Sequence, residues 1–397
     1  MKNLVDKINI LSNYFEEDFK SHISQNSIGL LTGFAGSIFA QACVFELTQK
    51  KENRDNVVKS VDHIIEKIIN SEEIETVYSI GLSGLARLLN MLRPILDNDQ
   101  EIEEILNEID EVLEEDMDRL ISQENFDIIH GAIGVAIYLI ERGKNDKVKQ
   151  LILSLDQSKL EIDNEIKWSR FDPYNHNTNI YDFGFAHGMS SFLFFLVKCH
   201  QGGLCRDESK NLIYQLIKTY DNNQSDFSQN EFFFPAVIKC EDYKNKEIIK
   251  TRLAWCYGDL TILNTLLLVS IEFNDKDLYQ KVVDKLLLTS TRKVFGQTFV
   301  QDAGFCHGSA GLSSIYLNIF DLTKNDVFKE TAEFWLNESI KYSNDKEAIC
   351  GYSFNLGGTT YGSNISLLSG VAGVLVSYIA ALNPKVNEQL GRLFFLR

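Results

Sequence analysis

Phe305-Cys306-His307-Gly308 sets a thiol and an imidazole side by side, and Trp255-Cys256-Tyr257-Gly258 places a second thiol ahead of another glycine. Two thiolates and one imidazole are a donor set for zinc, with a fourth position left to water or substrate as in catalytic rather than structural sites. The plain alternative is a set of reduced, buried cysteines, since free cysteine is among the most buried residue types. Cys43, Cys199, Cys205, Cys240 and Cys350 take that second reading. Three of the seven histidines, His130, His187 and His307, stand immediately before a glycine, and those glycines belong to one frame.

The frame is a recurring pattern of Gly, two residues, then Gly, Ser or Thr, opening an apolar run. Its lead glycines are Gly33, Gly81, Gly131, Gly188, Gly258, Gly308 and Gly370, spaced 48, 50, 57, 70, 50 and 62 residues apart. Between the apolar runs lie one-sided helical segments. In one of them Ile102, Ile105, Ile109, Val112, Leu113, Met117 and Leu120 recur at steps of three to five among Glu and Asp. Similar segments run over Leu4–Ser24, Asn53–Ile69, Asp146–Leu155, Glu208–Tyr220, Asp277–Val294 and Val327–Tyr342. Seven apolar helices alternating with seven amphipathic ones predict seven helical hairpins, apolar member inside. Neither the first nor the last repeat reads as a polar cap, which favours closure over an open solenoid. The glycines then find a structural reason, close approach of backbones where the inner helices converge on one rim. Residues at and just before them, Asp127, His130, His187, Cys256, Cys306 and His307, are expected to share that rim.

The long fourth interval calls for a small insertion at residues 221–250, with one or two short strands around Phe232-Phe233-Phe234-Pro235. Asp163–Asp182 and the stretch after Lys346 read as rim loops, suited to gripping a substrate. Otherwise residues 1–397 read as one domain. With 39 basic against 56 acidic residues and a net charge of -17, the chain lacks the basic excess that phosphate-backbone binding requires. Four prolines in 397 residues fit a mostly helical chain. The N-terminus shows no signal-peptide pattern, and seven scattered cysteines without a CxxC pair read as reduced thiols, so a cytoplasmic protein is expected. Ile365–Leu382 is uncharged and of near-membrane length, but its serines and glycines read as a helix buried on all sides in the protein.

Trp255-Cys256-Tyr257-Gly258, Cys306-His307-Gly308, Ala186-His187-Gly188 and Arg252, four residues before Cys256, together resemble the lanthionine synthetase C-like family, and through the seven repeats the resemblance covers essentially the whole chain. It implies an all-α fold, an (α/α)7 toroid of fourteen helices, and one zinc ion held by Cys256, Cys306 and His307, with Asp127, His187 and Arg252 around the reacting centre. The implied activity is that of a lantibiotic cyclase, closing (methyl)lanthionine rings by addition of cysteine thiolates to dehydroalanine or dehydrobutyrine. The implied substrate is a dehydrated precursor peptide, leader plus core, with a dehydratase and an ABC exporter at the inner face of the membrane as candidate partners. Ser191 stands where the fourth repeat would usually end in glycine.

The chemistry agrees with that expectation. A substrate thiol has a pKa near about 8.5, and binding to Zn²⁺ would deprotonate it at neutral pH. Addition to the β-carbon builds charge on the acceptor's carbonyl oxygen, which calls for a cation there and an acid at the α-carbon. Arg252 suits the first role and His187 the second, while Asp127 either orients His187 or accepts the thiol proton. Arg252 has a bland alternative as a surface ion-pair partner, and His130 as a backbone-bonding rim residue. Two rival functions remain: a scaffold whose zinc captures a thiol such as glutathione without cyclising anything, and a glycan-processing toroid using Asp127 and Asp259, which the two-cysteine metal set disfavours.

Overall fold

The computed structural model describes residues 2–17, 27–71, 73–172, 179–243 and 250–397. The chain divides into two compact units, residues 1–113 with 300–397, and residues 114–299. In the first unit the apolar helices Phe34–Thr48, Leu82–Leu92, Ser309–Thr323 and Val371–Ala380 pack side by side in the order 309–323, 371–380, 34–48, 82–92. The last repeat thus lies against the first, as closure requires. In the second unit Ala132–Glu141, Met189–Gln201 and Asp259–Glu272 follow one another in the same way.

Each apolar helix is followed by an amphipathic partner. Lys51–Ile69 shows the logic: it buries Asn53, Val57, Ser60, Val61 and Ile64, one stripe at helical spacing, and leaves its charges in water. Val371–Ala380, by contrast, is buried at every residue. The boundaries of that helix correct one expectation: residues 364–370 form a turn, so the uncharged stretch from Ile365 is not one helix. No helix of the described residues is long and apolar enough to cross a membrane. Among the described residues the seven apolar helices and the amphipathic helix after each make the expected fourteen, and Lys2–Glu17 stands outside these pairs. Pro384–Leu393 is the amphipathic partner of Val371–Ala380 and completes the seventh hairpin, started by Asn383, whose side chain accepts from Lys385 and Val386 N–H. Short helices at Phe227–Asn230 and Phe295–Thr298 break the loops. The N-terminal helix Lys2–Glu17 packs Leu4, Ile8, Leu11 and Phe15 toward Phe34–Thr48 and Val371–Ala380; the remainder of the expected 4–24 segment lies outside the described residues.

The two irregular stretches join. Strand Ile180–Asp182 pairs antiparallel with Val237–Lys239, so the expected insertion contributes one strand, and it pairs with the region read as a plain loop. Leu160–Ile162 and Glu165–Lys167 form a hairpin whose second strand lies in that loop region. Within these stretches residues 173–178 and 244–249 are outside the described set. The hairpin Phe354–Gly357 with Thr360–Gly362 occupies the stretch after Lys346.

The repeat glycines have a more local cause than converging helices. Each lead glycine is the N-cap of its helix, and the preceding loop folds back over it. A Cβ would lie 2.5 Å from the Ser27 carbonyl oxygen at Gly33, 2.1 Å from Glu75 at Gly81, 2.4 Å from Asp182 at Gly188, 1.9 Å from Arg252 at Gly258 and 2.5 Å from Asn364 at Gly370. The carbonyl six residues back is there for a reason. It accepts the first helical N–H, from Phe34, Leu82, Ala132, Ser309 and Val371 in five copies. Helix N-termini leave N–H groups without partners, and here the chain's own loop satisfies them in place of a capping side chain.

Candidate active site

The same loops carry the chemistry, and their polar residues are fixed by turns that recur in the repeat. Six residues before the lead glycine, Ser27 Oγ accepts from Gly29 N–H, Asp182 Oδ1 from Gly184, Asp302 Oδ1 from Gly304 and Asn364 Oδ1 from Ser366. Two residues before the glycine, backbone bonds link one copy to the next. In the first unit Cys306 N–H donates to Leu368, Leu368 to Leu31 and Leu31 to Ser79; in the second, Phe185 and Ala186 both donate to Cys256. The positions of Cys256 and Cys306 are therefore structurally equivalent, as their sequence frame predicts.

In the second unit His187 and Asp127 meet. His187 Nδ1 lies 2.6 Å from Asp127 Oδ2, and the other carboxylate oxygen accepts from the N–H groups of Ile129 and His130 at 2.7 and 2.8 Å. Burial works against the charge of Asp127, yet the hydrogen bond to His187 and the nearby imidazoles hold its carboxyl below the usual aspartate range. Burial likewise favours neutral His187, but the Asp127 carboxylate outweighs it and raises the imidazole above the ordinary histidine value. The imidazole stays accessible, its side chain 21% exposed. His130 is exposed and stacks on it with ring centroids 6.0 Å apart.

Three further residues complete this cleft, and the sequence reading missed them as a group. Tyr257 Oη donates to Asp182 Oδ2 at 3.0 Å, Arg170 Nη1 donates to Tyr257 Oη at 3.1 Å, and Arg170 Nη1 stands 3.5 Å from Asp182 Oδ2. Asp182 is only 2% exposed, and burial lifts its carboxyl above the ordinary value. Asp182 thereby braces two loops at once, one oxygen on the His187 loop and the other on the residue after Cys256. Glu124, Phe126, Asp127, Trp168, Arg170, Phe171 and His187 are among the residues that line the cleft. A signal for Asp182 existed in the sequence: Ser27-x-Gly29, Asp182-x-Gly184, Asp302-x-Gly304 and Asn364-x-Ser366 hold the same place in their repeats. Arg170 had no such mark, because strand pairing brings it there, its N–H donating to Ile180 O at 2.9 Å.

Arg252 occupies the turn position of its own repeat, where five copies carry Ser, Asp or Asn. It is exposed, and it is not among the residues lining the His187 cleft. Its repeat departs in a second way, since Gly258 alone of the lead glycines has a left-handed φ, +95°. Asp259 is unsuited to surface catalysis. It is fully buried, pairs with Arg292 at 3.0 Å and accepts from Phe233 and Phe234 N–H, each at 3.0 Å.

Of the expected zinc ligands, Cys256 lies buried in the second unit, and Cys306 and His307 lie half-buried in the first. Among the described residues no cluster of three or more His, Cys, Asp or Glu side chains is arranged for a metal ion. The donor chemistry, two thiols and an imidazole, fits zinc, and the backbone bonds at Cys256 and Cys306 fix the main chain from which both thiols project. Of the other cysteines, Cys43 and Cys199 are buried as expected, while Cys205, Cys240 and Cys350 are only half-buried.

The family model for lanthionine synthetase C-like protein matches residues 24–390. No curated protein sequence matches the chain significantly. Among solved structures, nisin cyclase superposes with a TM-score of 0.77 at 17% identity, covering 100% of this chain and 97% of that one. Likeness at that identity is one of fold, and the fold is the α/α toroid that the repeats predicted. The seven-repeat architecture and the match over nearly the whole length agree: the chain belongs to the lanthionine synthetase C-like protein family.

Proposed function

We propose that this protein is a zinc-dependent peptide cyclase, forming (methyl)lanthionine rings by adding cysteine thiols to dehydroalanine or dehydrobutyrine in a dehydrated precursor peptide. The observation that carries the reading is the Asp127–His187 pair, an accessible imidazole whose hold on a proton is strengthened by a carboxylate in a cleft. Cys256, Cys306 and His307 would hold the zinc, which when bound supplies a substrate thiol already deprotonated at neutral pH. The S–Cβ bond forms, the π pair moves toward the acceptor's carbonyl oxygen, and the α-carbon then takes a proton. His187 delivers that proton. Asp127 supports this as an orienting group rather than as the thiol base: both its oxygens are engaged, and its lowered pKa makes it a weak base. Arg252 remains in the reading as one of the residues around the reacting centre, on the strength of its motif.

Metal analysis of freshly purified protein should find about one zinc per chain, lost in Cys306→Ala. Zinc-free protein sinks the reading. A synthetic peptide with one cysteine and one dehydroalanine should lose its free thiol in the presence of the zinc protein. Constant thiol content with zinc present points instead to a thiol-capturing scaffold.

A further inference from the structure

The reaction needs two groups within one small space. Proton delivery at the α-carbon and charge relief at the adjoining carbonyl oxygen act on atoms two bonds apart, so the acid and the cation have to line the same cleft. His187 is the acid. The guanidinium that lines its cleft is that of Arg170, whereas Arg252 is not among the lining residues.

We propose that Arg170 contacts the substrate, receiving the carbonyl oxygen of the dehydrated residue while Trp168 and Phe126 flank its vinyl side chain. Three observations support this assignment, which rests on the cyclase reading. The guanidinium side chain is 34% exposed in the cleft, yet one edge is braced by Asp182 and Tyr257. Its backbone is anchored to Ile180 in the strand that pairs with Val237–Lys239, and the neighbouring residue Ser169 bridges to Tyr181, so the side chain starts from a fixed place. The walls suit the rest of the acceptor: Trp168 and Phe126 both pack edge-on against Phe192, at 5.3 and 6.1 Å, giving an apolar floor beside the charge. A donor fixed before the reaction stabilises developing charge without reorganising. Electrons balance within the addition: the thiol's S–H is replaced by S–Cβ, the C=C becomes a single bond, and the proton ends on the α-carbon. Asp182 is then a positioning residue, acting through Arg170.

The test uses the full-length zinc protein and the peptide with one cysteine and one dehydroalanine, following thiol loss. Arg170→Gln should lower kcat by about 10²–10³-fold with KM little changed, because the contact is made to charge that exists only in the transition state. Arg170→Lys should recover part of that loss, as a charge without the fork geometry. Asp182→Asn should cost less, and its effect combined with Arg170→Gln should fall well short of the product of the two. An active parent with Arg170→Gln within about threefold of it overturns the assignment and leaves the cyclase reading standing. So does a loss that matches a fall in melting temperature and is not relieved by lysine, which would make Arg170 only the counter-ion of buried Asp182. A parent that never consumes the thiol overturns the cyclase reading and this assignment together.

Discussion

A histidine proposed to donate a proton gains from a carboxylate beside it, and the half-buried Asp127 carboxylate, 2.6 Å from His187 Nδ1, raises the imidazole above the ordinary histidine value. The raised histidine and the lowered aspartate set the sign of two pH effects. Catalysis that needs protonated His187 is present at low pH and lost as pH rises through the raised value. Asp127→Asn removes the carboxylate, so the alkaline limb of the pH–rate profile should move to lower pH, with a rate loss at neutral pH of tenfold or more, on the order expected for a general acid. The pair's contribution to stability is fully present between the ordinary aspartate and histidine values. It is lost as pH rises through the His187 value and as pH falls through the Asp127 value, and a melting-temperature series for parent and Asp127→Asn should show that window.

The glycines exert their effect at the scale of the helix. A Cβ at Gly311 would stand 1.8 Å from the Phe305 carbonyl oxygen, and one at Gly84 2.1 Å from Tyr78, so neither can be met by a side-chain rotation. Gly311→Ala should cost about 1–3 kcal/mol in urea unfolding, the range for forcing extra atoms into a packed place. Gly296 is the control, with no atom within 4 Å of its added Cβ, and Gly296→Ala should leave the midpoint within a few tenths of a kcal/mol or raise it slightly. Ser191, the fourth repeat's exception, shows what the rule permits: its hydroxyl bonds back to the Gly188 carbonyl inside its own turn.

At the scale of the whole molecule, long-range bonds hold the loops of each unit. In the second, Arg292 joins Asp259 at 3.0 Å, the Thr251 carbonyl at 2.8 Å and the Gln297 carbonyl at 2.5 Å, while Asp259 takes the backbone of Phe233 and Phe234. Arg292→Ala leaves a buried carboxylate without its cation and should cost about 3–5 kcal/mol in chemical unfolding. In the first, closure is carried by Leu368 N–H on Leu31 and by the N-terminal helix packed on Val371–Ala380 and Phe34–Thr48. Deleting residues 2–17 removes four buried apolar anchors, each worth about 1.5–3 kcal/mol, and should open that unit to limited proteolysis at temperatures where the parent resists.

Periodicity made the helical hairpins legible, because burial on one stripe or on all sides writes itself into the order of residues. The glycine frame likewise placed Cys256 and Cys306 at equivalent positions and His187 one residue before its helix cap. The Asx and Ser turns six residues before the lead glycine in four copies were equally written there, in Ser27, Asp182, Asp302 and Asn364, but such residues pass for ordinary loop residues. What no local pattern carries is the company of Arg170. Its place beside Tyr257, 87 residues away, follows from a short strand pair and from a buried carboxylate that needs a cation, and both exist only once the chain has folded.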